Sequence, residues 1–259
     1  MPQKHHNTMK HLIILIISLI TASASAQNAV PEGARKLIAA YPNLSLRYED
    51  NHIIFPDGTS IVYDDGRAKT FVEQLDDCDI EDMFAIEYDT VSTPPKYLND
   101  CGRGRCEQFF KKVYGNSANA VAKKLVKIAW FGQQIPITTI NGVADTLKVI
   151  AKELADKPQL RKYFAQSSSF YWRQVRGANR LSAHSYGIAI DINVANSTYW
   201  LWQYKGKSET DSIGYSNKIP LEIVKVFEKH GFIWGGRWYH YDTMHFEYRP
   251  EFLTKPNKQ

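Results

Sequence analysis

Cysteine is scarce in this sequence, with three residues in 259 (Cys78, Cys101 and Cys106), and no Cys-x-x-Cys or Cys/His spacing surrounds them. A metal site built on thiolates is therefore not expected. The chain has no basic run, so its formal charge of +5 gives no footprint for nucleic acid. Internal repeats and low-complexity tracts are missing too, which argues against a solenoid and against global disorder. The apolar stretch Leu12–Ile20 has only nine residues, where a membrane-spanning helix needs ~20.

That stretch follows Lys4 and Lys10 and precedes Ala24-Ser25-Ala26, the order of a signal peptide with a small-x-small cleavage site. Residues 1–26 are expected to be removed before Gln27. The mature chain of 233 residues loses two lysines and no acid, so its charge falls from +5 to +3. Export, to the periplasm or beyond the cell, is the expected localisation, with no membrane span after cleavage. In an oxidising compartment Cys101 and Cys106 are expected to close a short loop across Gly102 and Gly104, leaving Cys78 unpaired.

What remains has ordinary globular composition, 44% hydrophobic and 23% charged. Aromatics are abundant at 13%, and five of the six tryptophans lie beyond residue 170. This cluster reads as core before it reads as a ligand platform. Residues 27–105 form an N-terminal appendage of unassigned role. Within it, Pro31–Tyr41 has helical spacing, and Asn51–Tyr63 reads as a hairpin turning at Pro56-Asp57-Gly58. Ser92–Pro95 reads as a linker or surface loop. Residues 106–259 read as one domain mixing helices and strands. Helices are expected over Ala118–Ile128 and Val143–Leu154 and between Pro220 and Gly231, with a strand over Ile135–Ile140.

Two segments carry chemistry. In Ser182-Ala183-His184-Ser185-Tyr186-Gly187-Ile188-Ala189-Ile190-Asp191, the isoleucines alternate with Ala189 and Asp191. The carboxylate therefore points away from the core beside a small residue. Gly187 permits a bend that brings His184 back toward Asp191. In Trp234–Tyr248, His245 and Glu247 alternate with Met244, Phe246 and Tyr248, giving a second strand with one polar face. His240 lies five positions before His245, on the opposite face of a regular strand, so His245 is the expected partner of His184 and Asp191. His240 is assigned to substrate binding instead. Taken singly, His184 reads as a hydrogen-bonded structural residue and Asp191 as a surface carboxylate. Together they suit one Zn²⁺ bound by two imidazoles and a carboxylate, with a fourth position open for water. Glu247 shares His245's face and is expected to orient it by a hydrogen bond.

The combination His184-x₆-Asp191, Gly235-Gly236-x-Trp238 and Asp242-x-x-His245 resembles the zinc D,L-peptidases of bacterial cell walls. These comprise D-alanyl-D-alanine carboxypeptidases and L-alanyl-D-glutamate endopeptidases, and the resemblance covers roughly residues 118–249. The ending of the motif looks more like the endopeptidase branch, since carboxypeptidase branches usually carry Glu in place of Asp242. The resemblance implies an α+β fold, a small antiparallel sheet with flanking helices of the Hedgehog/DD-peptidase type. It makes His184, Asp191 and His245 the zinc ligands and Asp242 the general base. It also makes Arg173 a group that polarises the substrate carbonyl or binds its carboxylate, and places Ser182 beside the substrate. The implied substrate is a peptidoglycan stem peptide, and the chain is expected to act as a monomer.

Two other readings compete. A binding module on the same scaffold would hold zinc without catalysis, but it would have no need of a carboxylate at position 242. A zinc amidase or esterase would use similar chemistry, and ligand spacing alone does not separate it from a peptidase.

Overall fold

The computed structural model describes residues 29–253; the expected leader lies outside them. Helix α1 (Glu32–Ala40) buries Ala34, Leu37 and Ala40 on one face. Strands β1 (Arg47–Glu49), β2 (His52–Ile54) and β3 (Ser60–Val62) pair antiparallel in sequence order, with Tyr48 opposite Ile53 and Ile53 opposite Ile61. The connection between β2 and β3 closes with Phe55 N–H donating to Thr59 O at 2.8 Å and Asp57 accepting from the Thr59 backbone. Helix α2 (Phe71–Asp76) starts in a capping box, in which Thr70 and Glu73 satisfy each other's backbone N–H.

The chain from Asp77 to Cys106 is largely irregular and runs to the site described below. Helix α3 (Glu107–Tyr114) buries Phe109, Phe110, Val113 and Tyr114. Only Ala118–Ala122 (α4) of the helix expected through Ile128 is helical. Leu125–Trp130 is instead strand β4, paired antiparallel with β5 (Gln133–Thr138). Ile128 and Trp130 alternate into the core from β4, and a tight turn at Phe131-Gly132 lets β5 cover its edge. Helix α5 (Val143–Ala155) packs Leu147, Ile150 and Leu154 inward.

The remaining sheet has the order β6–β8–β7, all antiparallel, from Ala189–Asp191, His245–Tyr248 and Phe232–Trp234. The short helix α6 is Trp200–Gln203, and α7 (Leu221–Lys229) backs the sheet with Val224 and Phe227. Phe227 stacks on Phe246 with ring centroids 4.0 Å apart. One hydrophobic cluster extends from Ala34 to Phe246, so the N-terminal segment and the sheet share a core.

The expected Cys101–Cys106 disulfide is not formed, and all three thiols are free. The five-residue interval is drawn out by other bonds. Trp238 Nε1 donates to Cys101 O at 2.6 Å, while Gly102 O accepts from both Arg105 and Arg249. Cys106 sits at the start of α3 within the core cluster. Burial pushes the Cys106 thiol up to about 11, and raises Cys78 and Cys101 further.

Candidate metal centre

The β6–β8 register sets Asp191 directly opposite His245 and Ala189 opposite Glu247. In an antiparallel pair, directly opposed residues share a face, so Asp191, His245, Ala189 and Glu247 all lie on one side. The small Ala189 leaves room there for the Glu247 carboxylate. His184 comes from a short 3-10 turn, Ala183–Tyr186, which ends at Gly187 in the left-handed region (φ 67°). A Cβ on Gly187 would also stand 2.6 Å from Leu125 Cδ2, so this bend needs glycine.

Three acceptor atoms converge at this point. His184 Nε2 is 3.1 Å from Asp191 Oδ1, His245 Nδ1 is 3.0 Å from the same oxygen, and the two nitrogens are 3.2 Å apart. The far nitrogens are already committed: His184 Nδ1 pairs with Ser169 O, and His245 Nε2 with Glu247 Oε2 at 3.0 Å. Carbonyl and carboxylate oxygens only accept, so each ring carries its proton on the far side and turns a lone pair inward. Tetrahedral zinc with bonds of ~2.0–2.1 Å would separate its ligands by about 3.3 Å, close to the spacing seen. The donor set therefore fits zinc.

Electrostatics points the same way. Burial opposes charge on His245, but its bonds to Asp191 and Glu247 outweigh that and push it up to about 10. Without a cation the carboxylates thus draw onto Nδ1 a proton that a metal ion would displace. Burial would raise Asp191, yet His184 and His245 hold it well below the usual carboxylate range. A positive charge is favoured at this point. Glu247 is fully buried between Arg105 at 3.2 Å and Arg249 at 2.9 Å. Burial acts against its ionised form, but Arg105, His245 and Arg249 hold it down to about 2. It thus remains an acceptor that fixes the His245 ring.

Asp242 belongs to the loop between the 3-10 turn Gly235–Arg237 and β8. Its N–H donates to Gly235 O at 2.9 Å, and a Cβ on Gly235 would lie 2.5 Å from the Asp242 carbonyl oxygen. The glycine allows this close approach. Asp242 Oδ1 is sealed from solvent with no hydrogen-bond partner among the described residues. Burial, then the neighbouring Asp191, raises its pKa well above the usual carboxylate range.

A cavity of about 420 Å³ opens over the triad, and Asp242, Arg173, Ser182 and His240 all line it. Arg173 is exposed, its Nη1 donates to Gln174 O at 3.2 Å, and it has no carboxylate partner among the described residues. Arg180, by contrast, is paired with Asp76. His240 is not on a strand, so strand parity is not what separates it from the triad; residues 238–244 form a loop. It stands apart because Asp100 binds it.

Sequence reasoning missed Asp100, Arg103 and Arg105, all in the N-terminal segment, as well as Ser169 and Glu209. The arginines sit in Cys-Gly-Arg-Gly-Arg-Cys, where two charges between cysteines were the available signal. Asp100, Glu209 and His240 would also make a metal triad, but Arg103 bonds to both carboxylates, at 2.9 and 2.7 Å, and supplies the cation itself. The acidic group around Asp79 is likewise occupied, by the buried Lys69 ammonium.

Residues 176–248 match the family model described as D-alanyl-D-alanine carboxypeptidase, so this segment is similar to a zinc D,D/D,L-peptidase family. The match contains two segments that form the triad, together with Asp242. No curated protein and no solved structure matches the chain. Among the described residues, no helix is long and apolar enough to cross a membrane.

Proposed function

We propose that the chain is an exported zinc metallopeptidase that hydrolyses peptide bonds in peptidoglycan stem peptides. The observation that carries this reading is the convergence of three inward lone pairs beside a buried carboxylate oxygen of Asp242 that has no partner among the described residues. His184, Asp191 and His245 would hold one zinc ion per chain. When bound there, the ion would lower the pKa of the attacking water toward ~7 and polarise the scissile carbonyl.

The protein's own groups supply the rest. Asp242 Oδ1 accepts the proton of the attacking water and passes it to the leaving amine, and its raised pKa suits a group that must both take and give a proton. Arg173 offers a fixed fork of donors to the substrate carbonyl or a carboxylate. Ser182 lines the same wall. Glu247 keeps the His245 ring aligned. A non-catalytic binding module would leave the Asp242 carboxylate buried without a task.

Digestion of purified muropeptides with mass analysis tests the reading and names the bond. Loss of one terminal alanine marks a carboxypeptidase, while cleavage after the first L-alanine marks an endopeptidase. The presence of Asp242 where carboxypeptidase branches usually carry Glu favours the second product. Unchanged masses with zinc-loaded chain would reject the proposal.

A further inference from the structure

The N-terminal segment lines the cavity directly with Arg103 and Arg105 and also reaches it through His240. Asn99 O accepts from Tyr239 N–H at 2.9 Å, and Cys101 O accepts from Trp238 Nε1, so residues 99–101 run along the loop that carries His240. Between them, Asp100 grips His240 twice. Its Oδ1 accepts from the His240 backbone N–H at 3.0 Å and its Oδ2 from Nδ1 at 2.5 Å. Asp100 is itself 2% exposed and is held by Arg103, which Glu209 holds in turn with two bonds. Arg103 and the His240 bonds keep Asp100 below the usual carboxylate range against the effect of burial.

Such a construction fixes a tautomer. With Nδ1–H committed to Asp100, the Nε2 atom of the neutral ring is an acceptor. The ring packs edge-on to Trp200, with centroids 4.6 Å apart, which fixes its plane. His240 is 1% exposed and lines the cavity, yet its Nε2 has no hydrogen-bond partner among the described residues. A buried acceptor left unpaired costs free energy that a ligand can recover.

We propose that Asp100 is a positioning residue for His240, whose Nε2 accepts a hydrogen bond from an N–H of the substrate. The N-terminal segment thereby completes a substrate site whose metal ligands lie elsewhere in the chain. This deepens the peptidase reading and rests on it for the substrate, a peptide with free backbone N–H groups.

The test uses the chain labelled with ¹⁵N-histidine, and reads imidazole nitrogen shifts by NMR with and without purified muropeptide. The expected spectrum shows His240 protonated at Nδ1 only, with Nε2 moving on muropeptide addition. Either a proton on Nε2 in the free chain, or an Nε2 resonance that muropeptide leaves unmoved, overturns the proposal. Cleavage by the zinc-loaded parent is followed on the same muropeptide. Its absence counts against the peptidase reading, whereas an unmoved Nε2 in a chain that cleaves counts against His240 alone. His240→Asn keeps an N–H near the Nδ1 position for Asp100 but loses the outer acceptor. It should keep its zinc and raise KM roughly three- to tenfold, the worth of one hydrogen bond, with kcat changed less. His240→Gln restores a polar atom near the Nε2 position and should recover part of that loss. An unchanged KM in His240→Asn, or a loss confined to kcat, would contradict the assignment.

Discussion

Asp242 and Glu247 are two acids a few residues apart with opposite surroundings. Glu247 lies between two arginines and bonds His245, whereas Asp242 has a buried oxygen with no partner among the described residues. Asp242→Asn should therefore keep zinc and lose roughly 10²–10⁴-fold in kcat, the usual worth of a general base. Glu247→Gln should weaken zinc affinity by roughly 10–100-fold and harm turnover less once metal saturates. Zinc content and kcat measured on both variants decide this. A zinc-replete but inactive Glu247→Gln beside a normal Asp242→Asn would exchange the two roles. The cysteines give a second check at this scale. Thiol titration of denatured, unreduced protein should find three free thiols, whereas one would restore the Cys101–Cys106 bridge.

Among the elements, the site depends on the β6–β8 register and the turn before it. Alternation of isoleucine with polar residues made both strands legible in the sequence, and the bend at Gly187 was readable as well. Pairing was not readable, because nothing local says that Asp191 must face His245. The Ala118–Ile128 helix was misread because Val121, Leu125 and Ile128 fit helical spacing, while the alternation of Ile128 and Trp130 needed β5 to give it meaning. Gly187→Ala tests the turn. A Cβ there meets Leu125 and forces a side chain into the left-handed region, a strain of order 1–3 kcal/mol. The melting temperature should fall, and zinc affinity should fall with it because His184 shifts. An unchanged melting temperature would show that the turn relaxes freely.

For the molecule as a whole, the convergence of His184, Asp191 and His245 beside Asp242 was legible in the sequence because these residues lie in two compact motifs. The appendage's part did not, since Asp100 and Arg105 meet His240 and Glu247 across about 140 positions of chain. These buried pairs also set the acid limit of the fold. Glu247 titrates at about 2 in the folded chain, against ~4.3 for an unperturbed glutamate, and Asp100 is lowered as well. The unfolded chain therefore binds more protons in that window, so stability is full above it and falls as pH drops toward 2. The raised pKa of Asp242 acts in the opposite direction, so urea midpoints of the metal-free Asp242→Asn chain should be lower at pH 3 than at pH 6. Equal midpoints would mean that the pairs add nothing to the stability of the fold.

On the function proposed, one zinc ion at His184, Asp191 and His245 makes this chain a stem-peptide hydrolase. A titration of zinc into the chelator-stripped mature chain, with muropeptide cleavage read by mass at each step, tests it most directly. Cleavage should be absent in the stripped chain, rise linearly, and break at one zinc per chain. Cleavage that survives stripping, or a zinc-saturated chain that leaves the muropeptide intact, would contradict it.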